Sequence, residues 1–315
     1  MMQRQYIQLD GLRLSYLEQG KAAKDQPSLV LLHGLMGCAE TFVPLMQQLD
    51  PGQHVIALDL PGAGHSERRP DIDPRLATTA EQVSHILDDL HLRRPILVGH
   101  SHGGAVAMSV AAHHRQSVGS LVLISPAHPY FDEADPLIRF YLSKPGQLFA
   151  HLMPWFPEWI QMIGLRRMAG PQSWDTPERL KPYRDNLRTP GTIYHLLRLL
   201  QTWHNDMAGL RRSLRRPLET PTLVVWGDCD AAVPLRSAPE LRAHLLHSEL
   251  ITLPGVGHRP AEEAPTLVAN FIHTWMNQEM PAREVPAPSI RYSANVSPAH
   301  ARTTSRITPS FESGD

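Results

Sequence analysis

Residues 98–104 read Val-Gly-His-Ser-His-Gly-Gly, a serine set between two histidines and closed by two glycines. A serine hydroxyl is a poor nucleophile at neutral pH, so chemistry at Ser101 needs a general base and a third group to orient that base. Both follow further along the chain. WGDCD carries two carboxylates, Asp228 and Asp230, directly after an apolar run, and LPGVGHRP carries His258 after the next one. A serine, an acid and a histidine in that order can supply a nucleophile, an orienting carboxylate and a proton carrier, the set required for acyl transfer.

Gly99, His100, Ser101, His102 and Gly103 fit the pattern G-x-S-x-G. The pattern has meaning only on a tight strand-to-helix turn, where side chains two residues before and after the serine would strike neighbouring strands. The context suits it, because PILV precedes the motif and the Ala-rich stretch GGAVAMSVAAHH follows it. A helix starting there points free backbone N–H groups at developing negative charge. His33 and Gly34, in HGLMG after an earlier apolar run, begin a loop whose backbone N–H could join that of His102 around an oxyanion.

These side chains need a frame. QYIQL and LRLSYLEQ flank Asp10-Gly11, a dipeptide suited to a two-residue hairpin. SLVLLHG, HVIALDLPG, PILVGHS, SLVLISP, TLVVWGD and SELITLPG are short apolar runs ending in Gly, Pro, Asp or Ser, as strands buried on both faces do. Helical patterns lie between them. Thr78 and Glu81 have the spacing of a capping box ahead of Val83, Ile86, Leu87 and Leu90, and residues 40–49 and 103–114 are also expected to be helical. The alternation predicts a mostly parallel sheet of eight strands flanked by helices.

Residues 126–217 break the rhythm. They hold no strand-like run but several amphipathic stretches, among them LIRFYLSK, EWIQMIGLRRM and TIYHLLRLLQTWH. We therefore expect a core from 1–125 and 218–278, closed by the helix TLVANFIHTWM, with residues 126–217 inserted as a helical lid. The insertion is rich in aromatics, so it is expected to have a small core of its own and to cover an apolar pocket. Residues 279–315 turn to Pro, Ser, Thr, Ala and Arg without periodicity and are expected to form a disordered tail.

Composition narrows the function. With 30 basic and 31 acidic residues the formal charge is −1, which offers no global attraction to nucleic acid or an anionic surface. Cys38 and Cys229 are too few for a disulfide framework and lack the C-x-x-C spacing of zinc or redox sites, and both are expected to act as small apolar filler. Neither an export signal nor a run near the roughly 18 apolar residues of a membrane span is evident, so a soluble, cytoplasmic protein is expected.

LLHGLMG, DLPGAGHS, GHSHGG, WGDCDAAVP and LPGVGH occur in an order and spacing that resembles the α/β-hydrolase superfamily over roughly residues 5 to 277. The resemblance implies an α/β-hydrolase fold with Ser101 as nucleophile, His258 as base and, through its acid-loop pattern, Asp230 rather than Asp228 as the orienting acid. It implies that the backbone N–H groups of Leu35 and His102 form the oxyanion hole. His33 and Gly34 then support the oxyanion loop, Gly99 and Gly103 permit the elbow, and Asp59 and Ser66 are architectural. Dehalogenases and epoxide hydrolases of the superfamily carry an aspartate at the position of Ser101, so the resemblance favours acyl transfer to water. No metal or organic cofactor is implied, and His65, His100 and His102 are given no ligand role. The expected partner is a small apolar ester. A carbon–carbon hydrolase of ring-cleavage products, a lactonase, a perhydrolase and a non-catalytic ligand receptor stay open as alternatives. The superfamily often forms homodimers, but the oligomeric state and natural substrate are not fixed by the sequence.

Overall fold

At Asp10 and Gly11 the backbone takes φ of 51° and 74°, the left-handed pair that lets two strands turn back on each other within two residues. The strands they join, β1 (Gln3–Leu9) and β2 (Leu12–Gln19), are antiparallel. In the computed structural model the described residues are 2–23, 26–131, 136–171, 176–278 and 290–292. The next strands are β3 (Leu29–Leu32), β4 (Val55–Asp59), β5 (Ile96–His100), β6 (Ser120–Ile124), β7 (Thr222–Gly227) and β8 (Ser248–Leu253). All eight expected strands are therefore present. A three-residue ninth, β9 (Ile290–Tyr292), pairs parallel to β8, and the rest of the expected tail lies outside the described residues.

The sheet order is β1-β2-β4-β3-β5-β6-β7-β8-β9. β2 runs antiparallel to β4, and every later pairing is parallel. Parallel strands end on the same edge, so the loops after β3, β5, β7 and β8 gather there, where ligand crevices form in such sheets.

Period-two alternation divides the core into two layers. Val30 and Leu32 of β3 face a cluster with the helices Leu76–Asp89 and His102–His113, while Leu29 and Leu31 face a cluster with Pro265–Asn277. Because both faces are covered, the strand runs are continuously apolar.

Three local expectations change. The helix Leu76–Asp89 begins ahead of Thr78, and Thr78 donates to Asp73 at 2.8 Å, so no capping box forms. Leu76 is buried, which draws the helix start toward the core. Residues 40–49 form two short turns, Ala39–Phe42 and Val43–Met46, with Pro44 at the start of the second. Cys38 is buried as expected, but Cys229 is exposed in the loop after β7.

Between β6 and β7 the described residues hold helices and no strand. These are Pro136–Leu142, Lys144–Leu152, Glu158–Arg166, Pro177–Arg188 and Thr192–Ser213. Among the described residues, no helix is long and apolar enough to cross a membrane.

Candidate active site

Ser101, between β5 and the helix His102–His113, has φ 50° and ψ −118°, a strained conformation for a residue with a side chain. The surroundings hold it there. Its N–H donates to the carbonyl of Ile124 at 3.1 Å, and its own carbonyl accepts from Gly104 at 2.8 Å and Ala127 at 2.9 Å. A Cβ at Gly103 would enter the Leu32 carbonyl, and one at Gly99 would enter the backbone of Gly103 and Gly104. Both glycines are thus required by close approach, as their spacing implies.

His258 joins the other two groups. Its Nε2 lies 3.0 Å from Ser101 Oγ, and its Nδ1 lies 3.0 and 2.9 Å from the two carboxylate oxygens of Asp230. Asp230 also accepts the N–H groups of Ala232 and Val233, each at 2.9 Å. Trp226, wholly buried in β7, fixes that loop by donating Nε1–H to the Val233 carbonyl at 2.9 Å. Burial pushes the Asp230 carboxyl up, but His258 and the two amides outweigh it and leave the pKa below its ordinary value. Asp228 is exposed and accepts instead from Gly255 at 2.7 Å. Of the two candidate acids, the structure brings Asp230 to the histidine.

The loop after β3 closes on the serine from the other side. Gly37 N–H donates to the Gly34 carbonyl at 3.1 Å, with Met36 between them at φ 63°. A Cβ on Gly34 would stand 3.0 Å from that of Ser101 and 3.1 Å from His100 Nδ1, so a larger residue there would press on the serine and its neighbour. Neither the Leu35 N–H nor the His102 N–H has an acceptor among the described residues. His33 lies beneath the loop, its Nδ1–H donating to the Gly34 carbonyl at 2.9 Å while Nε2 accepts from Leu60 N–H at 3.1 Å. Burial lowers its pKa, which favours the neutral ring this pattern needs.

The family model described as alpha/beta hydrolase fold matches residues 27–265, which takes in Ser101, Asp230, His258 and the loop that carries Leu35. This chain belongs to the α/β-hydrolase family. "Epoxide hydrolase 4" of Homo sapiens is 25% identical over 295 residues, covering 87% of this chain and 78% of its own. "Monoacylglycerol lipase ABHD6" of Bos taurus is 22% identical over 275 residues, covering 86% and 81%. Among solved structures, that of wild-type Cfl2 from Burkholderia cenocepacia superposes with a TM-score of 0.77 at 24% identity, covering 87% of this chain and 96% of that one. The chain is accordingly a hydrolase of this superfamily.

Asn186, which the sequence did not single out, and the two histidines flanking Ser101 complete this α/β-hydrolase site. Asn186, buried on the helix Pro177–Arg188, donates from Nδ2 to the carbonyls of Met36 and Gly37, both at 2.8 Å. Its Oδ1 accepts from Gly64 N–H at 2.8 Å and from Arg68 at 3.1 Å. One amide thereby ties the helices between β6 and β7 to the loop carrying Leu35. His100, given no role from the sequence, donates Nε2–H to the His258 carbonyl at 2.8 Å. Burial, with His258 nearby, takes its pKa down to about 3, so the ring is neutral. Burial likewise takes His102 down to about 3, its ring lying 6.0 Å from that of Trp203.

Glu263 binds the histidine loop to the segment after the helix Glu158–Arg166, accepting from Gly257 and Gly170, each at 2.8 Å, and from Arg259 N–H at 3.0 Å. No sequence spacing signals these contacts, since Asn186 and Glu263 each join segments far apart in the chain. Asp59 and Ser66 behave as expected. Asp59 accepts from Ala39 at 2.7 Å and His65 at 2.9 Å and pairs with Arg4, and Ser66 donates to the Asp59 carbonyl at 2.6 Å. Cys38, Glu40 and Asp59 converge closely, and Arg4 pairs with both carboxylates there.

A cavity of about 220 Å³ opens beside Ser101 and His258. Its walls are mostly apolar, with Leu35, Met153, Leu187, Ile193, Leu197 and Trp203 among them, so a small apolar group would shed its water on entering.

Proposed function

We propose that this hydrolase cleaves a carboxylic ester of an apolar small molecule through an acyl-enzyme, with residues 126–217 as a lid over the substrate. The bridging position of His258, within hydrogen-bond distance of both Ser101 and Asp230, carries this reading. Ser101 Oγ attacks the ester carbonyl as His258 Nε2 takes its proton. The Leu35 and His102 amides receive the charge that develops on the carbonyl oxygen. The tetrahedral intermediate collapses, the alcohol leaves with the proton from His258, and the acyl group stays on Ser101. Water then attacks the acyl carbon, giving its proton to His258, and the acid is released as Ser101 regains its hydrogen. Asp230 holds the ring so that Nε2 faces the serine and stabilises the imidazolium in between.

The similarity to an epoxide hydrolase raises a second chemistry, which Ser101 does not suit. A carboxylate attacking an epoxide leaves an ester that water can cleave, whereas a serine would leave an ether with no acyl carbon to attack. An apolar cavity next to the serine agrees with an apolar acyl or alcohol portion.

The test uses p-nitrophenyl esters of graded chain length with wild type and Ser101→Ala, together with labelling by a fluorophosphonate. Sustained turnover that disappears in the variant, with the label recovered on Ser101, is expected. Binding of esters without turnover by wild type would refute the enzyme and favour a ligand receptor. Turnover retained in Ser101→Ala would refute the nucleophile.

A further inference from the structure

Helices over the cavity are apolar on their outer surface as well as their inner one. In Lys144–Leu152, Ala150 is buried and lines the cavity with the neighbouring Met153. Leu148, Phe149 and Leu152 of the same helix are 62%, 36% and 46% exposed. The next turn and helix continue the surface, with Trp155 at 66%, Trp159 at 67% and Ile163 at 45%, while Met162 turns inward. Gln161 ties the two elements together by donating to the carbonyls of Pro154 at 3.0 Å and Phe156 at 2.7 Å. Of the twelve large apolar side chains exposed among the described residues, these six fall within residues 148–163, so they form a patch rather than a scatter.

Charge identifies what suits the patch. Residues 126–217 hold 13 Lys and Arg against 8 Asp and Glu, an excess of five positive charges in a chain whose totals are 30 and 31. Arg188 lies over the Trp155 ring at 5.3 Å, and Glu158, the acid within residues 144–167, is taken up by Arg184 at 3.2 Å. A two-fold dimer through this face would set one cationic segment against its own copy. An anionic bilayer instead offers hydrocarbon to the leucines, an interfacial layer to the tryptophans and phosphates to the arginines and lysines.

We propose that the outer face of residues 144–167 docks on an anionic lipid surface, and that the ester entering the cavity beneath comes from that surface. The second clause rests on the esterase reading; the docking does not.

Flotation of the full-length Ser101→Ala protein with vesicles tests docking apart from turnover. The vesicles are phosphatidylcholine alone, or equal parts phosphatidylcholine and phosphatidylglycerol. The protein is expected to float with the anionic vesicles, to float less with the neutral ones, and to be released at about 1 M salt, where screening acts within about 3 Å. Trp155→Gln with Trp159→Gln should weaken binding more than about tenfold. In the Ser101 background these changes should leave hydrolysis of soluble p-nitrophenyl acetate unaltered. Leu148→Gln, on the adjoining helix, gives a second variant should the double change disturb folding, and it should also weaken binding. Absence of flotation of the Ser101→Ala protein with the anionic vesicles, or equal binding when the tryptophan or leucine substitutions are added to it, would overturn docking. So would a dimer in sedimentation that the same substitutions dissociate without any vesicle binding. Docking without turnover of any ester would leave docking standing and remove only the esterase reading.

Discussion

Replacing Asn186 by Asp preserves the shape of the side chain and removes both of its donors. In the native structure those donors hold the carbonyls of Met36 and Gly37, and the acceptor holds Gly64 and Arg68. The variant keeps the acceptor side but turns a carboxylate toward two carbonyl oxygens. Each lost neutral hydrogen bond is worth about 1 kcal/mol, and a buried carbonyl left without a donor costs about 1–3 kcal/mol. The expected loss of stability is therefore about 2–4 kcal/mol, visible as a lower Tm. The more diagnostic effect is kinetic. The loop so released carries Leu35, and removal of a whole oxyanion donor costs about 10²- to 10³-fold in kcat. A donor that is loosened but present should cost less, so kcat is expected to fall about 10- to 100-fold. The KM of an apolar ester should change little, because Asn186 is not part of the cavity wall beside Ser101. A trifluoromethyl ketone, which forms a tetrahedral oxyanion adduct with the serine, should lose affinity in proportion to kcat/KM. An unchanged kcat in a destabilised variant, or a rise in KM alone, would show that Asn186 merely holds the helix Pro177–Arg188 in place and would refute the coupling.

Other expected outcomes are simpler to read. Asp230→Asn should lower kcat by about 10³- to 10⁴-fold with the fold intact by circular dichroism, because the amide disturbs the ring orientation of His258. Gly103→Ala places a methyl group in the Leu32 carbonyl and should lower stability by at least about 1–3 kcal/mol or prevent soluble expression, measured by urea unfolding. Glu262 is buried, which raises its pKa to about 7 despite Arg259 and the Tyr183 hydroxyl. Since its folded value lies above the unfolded value near 4.3, stability is highest below that lower value and is lost as pH rises toward 7. Glu262→Gln should therefore raise Tm at pH 8 and leave it little changed at pH 4, with an advantage of up to about 3 kcal/mol. A constant difference across pH would contradict a protonated native Glu262.

Particular elements show where reading the sequence succeeds and where it stops. The Asp10-Gly11 hairpin and the strand runs were legible because local backbone preference and two-faced burial leave their mark within a few residues. The capping box at Thr78 was misread because burial of Leu76, a tertiary demand, moved the helix start. The helix Pro177–Arg188 was not assigned, since Pro182 in its interior reads as a break. Cys229 was expected to fill space, yet it is exposed in the loop after β7, whose course no periodicity describes.

The sequence alone determined the family and the order of Ser101, Asp230 and His258, because a strained elbow and parallel strands impose glycines and apolar runs at fixed local spacing. Tertiary structure alone decided that Asn186 and His100 secure the two loops beside the serine, and that the outer face of the helices between β6 and β7 is apolar. Those outcomes depend on contacts between segments many residues apart. Chain spacing carries no record of them, since a loop's direction follows from what it packs against.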